Sequence, residues 1–327
     1  MTYASLPFSP GAPWLAPLAG WSDLPFRLLC RESGAAVCCT EMISAKGLIY
    51  GSPGTAELLA TSPQDAPLVA QLFGAEASFM EEAVRRLREL GFRWFDCNMG
   101  CSVPKVTRTG AGAAMCRNID NSLQVGEALI RAAGRGQVGF KLRLGWDDAG
   151  PDAETWRILG PALAELGAGW LTLHPRTAKQ GFSGTARHQV LKELKALVAV
   201  PVVASGDLMR AEDGVRCIRE TGVDTVMYAR GALRDPGIFA AHKALWEGKR
   251  PEEADVSALL ARIRHHARLA RALTPDRAAL LKMRTIVPRY VHDVEGVKQL
   301  RLDVIACRDW DDFEAALQRF AATHGAV

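Results

Sequence analysis

The sequence predicts an α/β fold, a (β/α)₈ TIM barrel followed by a small all-α C-terminal domain. Between Trp14 and Leu233, short apolar runs alternate with amphipathic stretches, as expected for repeated βα units around a parallel sheet. Eight strands can be counted there, which is the number that closes such a barrel. After Trp246 the periodicity is helical without strands. We therefore expect the barrel over residues 1–246 and the helical domain over residues 247–327.

The predicted strands and helices follow one another in order along the barrel region. A Rossmann-type sheet is the main alternative, but residues 19–22 after the first strand lack the GxGxxG turn of that fold. Several of the helices end in a glycine, which helix C-termini favour. The strands are predicted at residues 14–20, 35–42, 67–73, 94–99, 138–144, 170–175, 200–205 and 225–229, with helices that include 77–90, 122–133, 153–166 and 211–220.

The composition is that of an ordinary globular protein. With 327 residues, 48% of them hydrophobic, the chain can bury a full core and a second unit. No apolar run reaches membrane-spanning length and no targeting segment is evident, so we expect a cytoplasmic protein without membrane contact. The eight cysteines form neither a secreted framework nor paired CxxC units, so we expect reduced, mostly buried thiols and no metal site. A net charge of +4 permits a nucleic-acid partner without requiring one.

Polar side chains occupy barrel-facing positions near the carboxyl ends of several predicted strands. Lys141 and Arg143 alternate with apolar residues, and so do Thr172 and His174 on the following strand. Since the apolar set of a barrel strand faces the helices, these polar groups should point inward, where the active sites of this fold lie. Gln71, Asp96 and Asn98 should lie at the same end of the barrel.

A ligand site at this end would explain the buried cations. Burying a charged lysine costs free energy unless an anionic group lies beside it. A ring that carries carbonyls and an ionisable nitrogen, such as a reduced flavin, would suit amide and ammonium partners. Glycines follow the seventh and eighth strands, at Gly206 before Asp207 and at Gly231 after Arg230. Barrels commonly bind phosphate at these two turns through backbone N–H groups, and Arg230 could add a cation.

Cys101 lies in the loop after the fourth strand, which continues into a glycine-rich, basic segment at residues 107–113. A loop thiol has no chemical role by default. An unperturbed thiol, with a pKa of about 8.5, is largely protonated at neutral pH and can donate a proton without a partner. A nucleophilic role would require a lowered pKa and a neighbouring base, and no Cys/His signature is present. Proton donation is therefore the more economical role for Cys101.

The C-terminal region carries a basic helix face. Its apolar positions, Leu260, Ile263, Ala267 and Ala270, share the opposite face of one predicted helix. The face is either simply solvated or a contact surface for RNA phosphates. Its basic residues are Arg262, Arg264, His265, Arg268 and Arg271, followed further along by Lys282, Arg284 and Arg289.

The motifs, taken in order, resemble those of the tRNA-dihydrouridine synthases. The resemblance runs through the whole barrel and reaches residues 283–284 and 296–301 of the C-terminal region. Its most specific part is the Asn-x-Gly-Cys block at residues 98–101. The matching segments are residues 16–23, 26–27, 40–42, 71–74, 98–101, 105–106, 141–143, 174–177, 206–207 and 230–233.

The resemblance implies a flavin enzyme that acts on RNA. Enzymes of this family hold FMN at the barrel mouth, use NADPH as reductant, and saturate the C5–C6 bond of a flipped-out uridine, commonly in tRNA. Hydride reaches C6, and Cys101 would protonate C5. The helical domain would bind RNA. The resemblance places flavin contacts at Pro17, Gln71, Lys141, His174, Gly206, Asp207, Arg230 and Gly231, and contacts with the uracil or its nucleotide at Asn98, Arg143 and Arg176.

The chain departs from the family pattern at Ser102, Ser205 and Ala229, where Pro, Asn and Gly are usual. The target uridine therefore stays open, and ribosomal RNA is an alternative substrate. A small-molecule pyrimidine or ene reductase with a flavin barrel is a second interpretation, and a non-catalytic RNA-binding protein is a third. Glu41 has two candidate roles, one in catalysis and one as the structural partner of Arg27 or Lys46.

Overall fold

The computed structural model describes residues 5–252, 255–292 and 294–325. Residues 1–4 of the predicted barrel unit lie outside the described residues. So do residues 253–254, 293 and 326–327 of the predicted helical unit.

The strands form one closed parallel sheet, so the predicted barrel is confirmed. In the described part of the chain the sheet order is β2-β1-β9-β8-β7-β6-β5-β4-β3, and pairing between β2 and β4 closes the ring of eight. The short β3 extends the ring by pairing with the end of β4. The strands are β1 (Trp14–Leu15), β2 (Val37–Cys39), β3 (Ile43–Ser44), β4 (Leu68–Phe73), β5 (Trp94–Met99), β6 (Val138–Arg143), β7 (Trp170–His174), β8 (Val202–Ala204) and β9 (Thr225–Tyr228).

The second predicted strand, residues 35–42, is interrupted. The Thr40 hydroxyl accepts a hydrogen bond from the Gln71 backbone N–H at 3.0 Å, where strand pairing would use a carbonyl. The same hydroxyl donates to the Glu41 carbonyl at 2.8 Å. The side chain of Thr40 thus competes with the backbone for its partners, which ends β2 at Cys39 before β3 begins.

Helices cover the outside of the barrel and connect its strands. The predicted helix at residues 122–133 begins earlier, at Ile119, because the Asn118 side chain caps it by accepting from the Asn121 N–H at 3.0 Å. The one predicted from residue 153 begins later, because Glu154 has a left-handed φ of 49°. The helices are α1 (Leu24–Glu32), α2 (Ala45–Ile49), α3 (Thr55–Leu58), α4 (Ala77–Glu89), α5 (Pro104–Thr107), α6 (Ile119–Ala133), α7 (Trp156–Leu166), α8 (Gln189–Leu197), α9 (Ala211–Thr221), α10 (Arg230–Arg234) and α11 (Ile238–Trp246).

Aromatic side chains fill the amino-terminal end of the barrel interior. The Trp14 and Trp170 rings pack edge to face with centroids 5.6 Å apart, and Phe8 covers both. Trp170 fits because residue 139 is a glycine, since a Cβ there would lie 1.9 Å from the indole. With this end filled, open space inside the barrel remains at the carboxyl end of the strands.

The described residues after Trp246 form helices and no strand, as predicted. Leu260, Ile263, Ala267 and Ala270 are buried on the predicted apolar face. They belong to the same hydrophobic core as the barrel helices, so the two parts pack directly together. The helices are α12 (Val256–Leu273), α13 (Asp276–Tyr290), α14 (Val297–Ala306) and α15 (Trp310–Thr323).

Most of the predicted basic face of α12 is engaged inside the molecule. Arg264 pairs with Glu314 at 2.6 Å, and Arg271 pairs with Asp276 at 3.2 Å. Arg262 pairs with Asp235, and His265 with Glu32. These side chains connect α12 to its neighbours and are less available to an external anion than the sequence suggested.

All eight cysteines lie in the described part of the chain, where none forms a disulfide and seven are buried, as predicted. Over the same residues, none of the helices combines the length and apolar character that a membrane span requires. The described residues also contain no group of three or more His, Cys, Asp or Glu side chains that could hold a metal ion.

Candidate functional site

A cavity of about 390 Å³ opens at the carboxyl end of the barrel strands. Its walls come from the carboxyl ends of the strands, from the loops and the short helix α10 that follow them, and from one residue of α13, Arg289. Three of the predicted site residues, Gln71, Arg176 and Gly231, lie behind this wall. The predicted residues that line the cavity are Pro17, Asn98, Cys101, Lys141, Arg143, His174, Gly206, Asp207 and Arg230.

Strand register brings the polar side chains together in layers. Asn98 of β5 is the register partner of Lys141 of β6. One layer higher, Arg143 of β6 is the partner of His174 of β7. Because side chains two apart on a strand share a face, these four groups all project into the barrel at its open end.

A chain of hydrogen bonds runs beneath the cavity from Asp96 to the Cys101 loop. The Gln71 amide nitrogen donates to an Asp96 carboxylate oxygen at 2.7 Å, and the Gln71 oxygen accepts from Asn98 at 2.9 Å. The Asn98 oxygen in turn accepts from the backbone N–H groups of Gly100 at 3.1 Å and Cys101 at 2.8 Å. Because an Asp96 oxygen accepts from the Gln71 amide nitrogen, Asp96 fixes the orientation of both amides and, through them, the position of Cys101.

Cys101 is the one cysteine that is not fully buried, and it lines the cavity. Its carbonyl accepts from the Ala113 N–H at 2.9 Å, which folds the glycine-rich segment against it. Gly112 makes this contact possible, since its φ is +62° and a Cβ there would lie 2.6 Å from the Cys101 oxygen. Burial raises the pKa of two thiols inside the barrel wall, Cys39 and Cys97, so both stay protonated and shielded.

Lys141 is half-buried at the cavity wall. It forms no hydrogen bond or ion pair within the described parts of the chain. Burial, with the Arg143 guanidinium beside it, lowers the pKa of Lys141 to about 8. Burial conversely raises the pKa of Asp96, whose Oδ1 atom is buried without a hydrogen-bond partner. The ammonium of Lys141 is thus a strong donor that lacks an acceptor among the described residues.

His174 is a neutral imidazole. Burial, reinforced by the neighbouring cations Lys141 and Arg143, lowers the pKa of His174 to about 2. Its Nε2 lies 3.2 Å from a nitrogen of Arg176. Since guanidinium nitrogens only donate, Nε2 must accept and the proton must reside on Nδ1. Gly206 packs against the imidazole ring, and a Cβ at residue 206 would lie 2.5 Å from Cδ2 of His174.

Asp207 connects the loops after β7, β8 and β9. Its backbone is left-handed, with a φ of 52°. Its carboxylate accepts from Arg176 at 2.6 Å, from the Ala186 N–H at 2.8 Å and from Arg230 at 3.1 Å. Burial acts to raise the pKa of Asp207, but the bonds from Arg176 and Ala186 outweigh it and lower that pKa. This carboxylate organises its neighbours, since its oxygens are already engaged.

Arg176 is buried, and the structure does not bring it to the cavity surface. Its guanidinium donates to the carbonyls of Ser183 at 3.1 Å and Gly184 at 2.6 Å. Arg143 supports the same loop through the carbonyls of Thr177 and Gly181, both at 2.8 Å. Arg143 also donates to the Gly100 carbonyl at 2.7 Å, so one side chain links the loops after β5 and β7.

The loop held in this way presents Phe182, which sequence reasoning missed. Its side chain is 61% exposed and lines the cavity. The Arg230 guanidinium lies 4.7 Å from its ring centroid and that of Arg143 5.7 Å. The signal available in the sequence was a lone aromatic residue between glycines 181 and 184, shortly after the sixth predicted strand.

The two predicted phosphate-binding turns are in contact with each other. A Cβ on Gly231 would lie 2.5 Å from the Leu208 carbonyl oxygen, so only glycine lets the loops after β8 and β9 approach this closely. Arg230 lies beside them with 42% of its side chain exposed. The three positions where the chain departs from the family pattern, Ser102, Ser205 and Ala229, all line the cavity.

Another part of the cavity rim is formed by Trp21 and Arg289, neither of which was predicted as a site residue. Glu41 supports this rim by accepting from the Gly20 N–H. Burial raises the pKa of Glu41, although that hydrogen bond opposes the shift. Neither structural partner proposed for Glu41 is used, because Arg27 pairs with Asp65 at 2.8 Å and Lys46 pairs with Glu76.

Solved structures share the barrel. Histamine dehydrogenase from Rhizobium sp. 4-9 aligns with a TM-score of 0.52 at 14% identity, covering 81% of this chain and 48% of that one. Morphinone reductase aligns with a TM-score of 0.51 at 12% identity, covering 76% of this chain and 88% of that one. At these identities the likeness concerns the fold alone.

Curated relatives are considerably more similar. A probable tRNA-dihydrouridine synthase 1 from Synechocystis sp. is 33% identical over 291 residues, which are 88% of this chain and 79% of that protein. A probable tRNA-dihydrouridine synthase from Mycobacterium tuberculosis is 32% identical over 323 residues, 94% of this chain and 82% of that protein. The tRNA-dihydrouridine synthase B of Xanthomonas campestris is 34% identical over 225 residues, 69% of this chain and 67% of that protein.

The family profile described as "Dihydrouridine synthase (Dus)" matches residues 14–324. This match spans the barrel and the C-terminal helices together. The chain therefore belongs to the dihydrouridine synthase family.

Proposed function

We propose that this protein reduces the C5–C6 double bond of a uridine in RNA to dihydrouridine, with FMN as cofactor and NADPH as reductant. The observation that carries the proposal is the placement of Cys101 on the cavity wall, held there by Asn98 at 2.8 Å. Lys141, which has no hydrogen-bond or ion-pair partner among the described residues, lines the same cavity. We take the RNA to be tRNA, because the relatives are named for it. The same chemistry on ribosomal RNA would use the same residues.

The cavity residues fit a flavin mononucleotide. A volume of about 390 Å³ lies in the range of small-molecule sites. Lys141 supplies a donor that lacks an acceptor among the described residues, and His174 supplies a neutral imidazole in the same wall. Gly206 and Arg230 line the same cavity, so a backbone N–H and a guanidinium can both reach an anionic phosphate there.

We assign the flavin ring to Pro17, Lys141 and His174, and its phosphate to Gly206, Arg230 and Gly231. Two other residues act through their neighbours. Gln71 orients Asn98, and Asp207 holds Arg230 in place at 3.1 Å. When bound, the reduced flavin supplies the hydride that adds to C6 of the uracil.

The protein supplies the proton. Addition at C6 leaves negative charge on the uracil, shared between C5 and the C4 oxygen, and the nearby cations Lys141 and Arg143 stabilise that charge. The S–H bond of Cys101 breaks as the new C5–H bond forms, and the thiolate recovers a proton from water because the side chain is half-buried at the cavity mouth. One hydride and one proton together saturate the double bond.

Arg143 and Arg176 keep the loops over the base in place. Arg143 joins Gly100, next to Cys101, to the Phe182 loop. Arg176 fixes the same loop from behind through Ser183 and Gly184. We therefore assign Asn98 and Arg143 to the nucleotide at the cavity wall and Arg176 to the support of the wall.

We propose residues 1–246 as the catalytic barrel and residues 247–327 as the RNA-binding part. The contribution of Arg289 to the cavity wall supports this division of labour, since it brings the C-terminal helices to the mouth that a flipped base must enter.

The decisive experiment is mass spectrometry of nucleosides from unmodified RNA that has been treated with the FMN-loaded protein and NADPH. We expect dihydrouridine at one position, which sequencing of the modified RNA will map. Turnover of free pyrimidines without any dihydrouridine in RNA would instead identify a small-molecule ene reductase. RNA binding by a protein that takes up no flavin would identify a binding protein.

A further inference from the structure

One part of the cavity rim is built by two segments that are distant in the sequence. Trp21 belongs to the loop after β1, and Arg289 belongs to the end of α13. The Arg289 guanidinium lies 4.3 Å from the centroid of the indole, and both side chains line the cavity. The C-terminal helices and the barrel therefore share one wall of the site.

The loop that carries Trp21 is held on both sides. Glu41 accepts from the Gly20 N–H, and Lys282 of α13 donates to the Gly20 carbonyl at 2.7 Å. Lys282 also pairs with Asp23 at 2.8 Å. Trp21 itself donates its backbone N–H to the Leu18 carbonyl at 2.8 Å. The indole is thus positioned before any ligand arrives, which reduces the entropy lost on binding.

Both cations of α13 face the indole. Lys282 and Arg289 are seven residues apart, which places them two turns apart on the same helix face. The Lys282 ammonium lies 5.6 Å from the indole centroid, but its charge is already matched by Asp23. Arg289, in contrast, is exposed and has neither a hydrogen bond nor an ion pair with any residue in the described ranges.

An exposed guanidinium stacked on an aromatic ring at a cavity mouth is a suitable receptor for a nucleotide. The guanidinium binds a phosphate through paired N–H groups, and the aromatic ring stacks on a base of any sequence. The main cations of the α12 face do not offer this, because Arg262, Arg264 and Arg271 are paired with carboxylates.

We propose that Trp21 and Arg289 form a subsite for the RNA nucleotide adjacent to the target uridine, with Arg289 on its phosphate and Trp21 against its base. The subsite rests on the proposed RNA substrate. In this proposal the C-terminal helices bind the RNA strand next to the base that enters the cavity. The contact with base and phosphate is independent of sequence, so it positions the strand without choosing the uridine.

A phosphate at this rim has two potential sources, the RNA strand and the dinucleotide reductant. We commit to the RNA, because Arg289 belongs to α13, which lies in the proposed RNA-binding part of the chain. Two measurements separate the sources. Binding of an unmodified tRNA transcript tests the RNA, and reduction of the bound flavin by NADPH without RNA tests the dinucleotide.

The binding experiment uses the full-length, FMN-loaded protein and fluorescence anisotropy at several salt concentrations. Arg289→Ala should weaken binding several-fold at low salt and reduce the slope of log K against log salt by about 0.7 to 0.9, the loss of one phosphate contact. Arg289→Lys should keep the slope. Trp21→Ala should weaken binding about tenfold with the slope unchanged, and Trp21→Phe should recover most of the loss.

Arg85→Ala is the matched control. It removes one exposed positive charge from the outer helix α4, and its partner Glu81 keeps Arg131 at 2.6 Å. We expect RNA affinity and salt slope to equal those of the wild type. Thermal melts of every variant identify any loss of folding, and Arg289→Lys and Trp21→Phe test the subsite with the smallest structural change.

The outcomes that overturn the subsite are distinct from those that overturn the proposed reaction. Wild-type RNA affinity and slope in Arg289→Ala would exclude the subsite, and slower flavin reduction by NADPH in that variant would assign the phosphate to the reductant. If the wild-type protein forms no dihydrouridine but the variants lose RNA affinity as expected, the proposed reaction fails while the subsite stands.

Discussion

The side-chain oxygen of Asn98 accepts the backbone N–H of Cys101 at 2.8 Å, so the loop that carries the cysteine is fixed from within the barrel. Asn98 is fixed in turn by Gln71, and Gln71 by Asp96. The position of the thiol is therefore determined by a buried carboxylate three links away. This dependence leads to predictions about both ends of the chain of hydrogen bonds.

Removal of the thiol should abolish the chemical step and leave the cavity intact. We expect Cys101→Ala to retain flavin but to lower the single-turnover rate of dihydrouridine formation by about 100-fold or more, because a general acid contributes at least this much. Bound flavin is measured by its absorbance, and the rate by quenched-flow nucleoside analysis. Wild-type rates on bound RNA would show that another group donates the proton.

A substitution at Asp96 should alter the position and reactivity of Cys101 through the connecting hydrogen bonds of Gln71 and Asn98. In Asp96→Asn the new amide can donate to Gln71, which reverses the orientation of the Gln71 and Asn98 amides and releases the N–H groups of Gly100 and Cys101. We expect the rate of Cys101 alkylation by iodoacetamide to change several-fold and kcat to fall with little change in KM. Glu89→Gln, an exposed carboxylate on α4, is the control and should change neither. Alkylation of Cys101 at the wild-type rate in Asp96→Asn would refute this coupling.

The Lys141→Met variant should bind FMN more weakly than the wild type but should have a more stable fold. The ammonium lacks a hydrogen-bond partner among the described residues, so its loss should weaken FMN binding about 10- to 100-fold, as measured by flavin fluorescence. The folded pKa of Lys141 is about 8, below its usual 10.5, so between these values the unfolded chain binds more protons. The flavin-free wild type should therefore gain stability from pH 8 to pH 10.5, and the variant should lack this gain. Thermal melts against pH test it, and identical profiles would contradict it.

Gly206→Ala should damage both fold and site, and Gly222→Ala separates the two causes. Both glycines have a positive φ, +103° at Gly206 and +72° at Gly222, so alanine strains the backbone at either position. Only at Gly206 would the new Cβ meet a neighbour, His174 at 2.5 Å, whereas nothing lies within 4 Å at Gly222. Urea unfolding should show about 1 kcal/mol lost at Gly222 and more at Gly206, with flavin affinity lost only at Gly206. Equal losses of stability and affinity at both positions would show that the His174 contact is unimportant.

The barrel could be predicted because short apolar runs alternate with amphipathic stretches along most of residues 14–233. The exceptions are local. The hydroxyl of Thr40 replaces a backbone acceptor and breaks one strand, and Glu154 delays one helix by adopting a left-handed conformation. The hydrophobic pattern of the sequence does not reveal individual side-chain hydrogen bonds or single backbone dihedral angles. Strand ends and helix starts are therefore where the predicted and observed bounds differ.

The site was predictable where it lies on strands. Lys141 and His174 were placed correctly at the cavity wall because strand periodicity fixes which face a side chain occupies. Arg176 follows a strand in sequence but turns away to support a loop, which depends on carbonyl positions that no spacing reveals. Trp21 was missed, and Arg289 was named only among the basic residues of the C-terminal region, because the two come together only through the packing of α13 on the barrel.

The aromatic plug of Trp14, Trp170 and Phe8 closes the far end of the barrel. Over the residues that the structure describes, the barrel interior is consequently accessible from its carboxyl-terminal end. Under the proposed function, the nicotinamide of NADPH and the flipped uracil must both enter through this end of the barrel to reach the same flavin. We therefore expect the two to bind in turn, with the reductant leaving before the RNA binds.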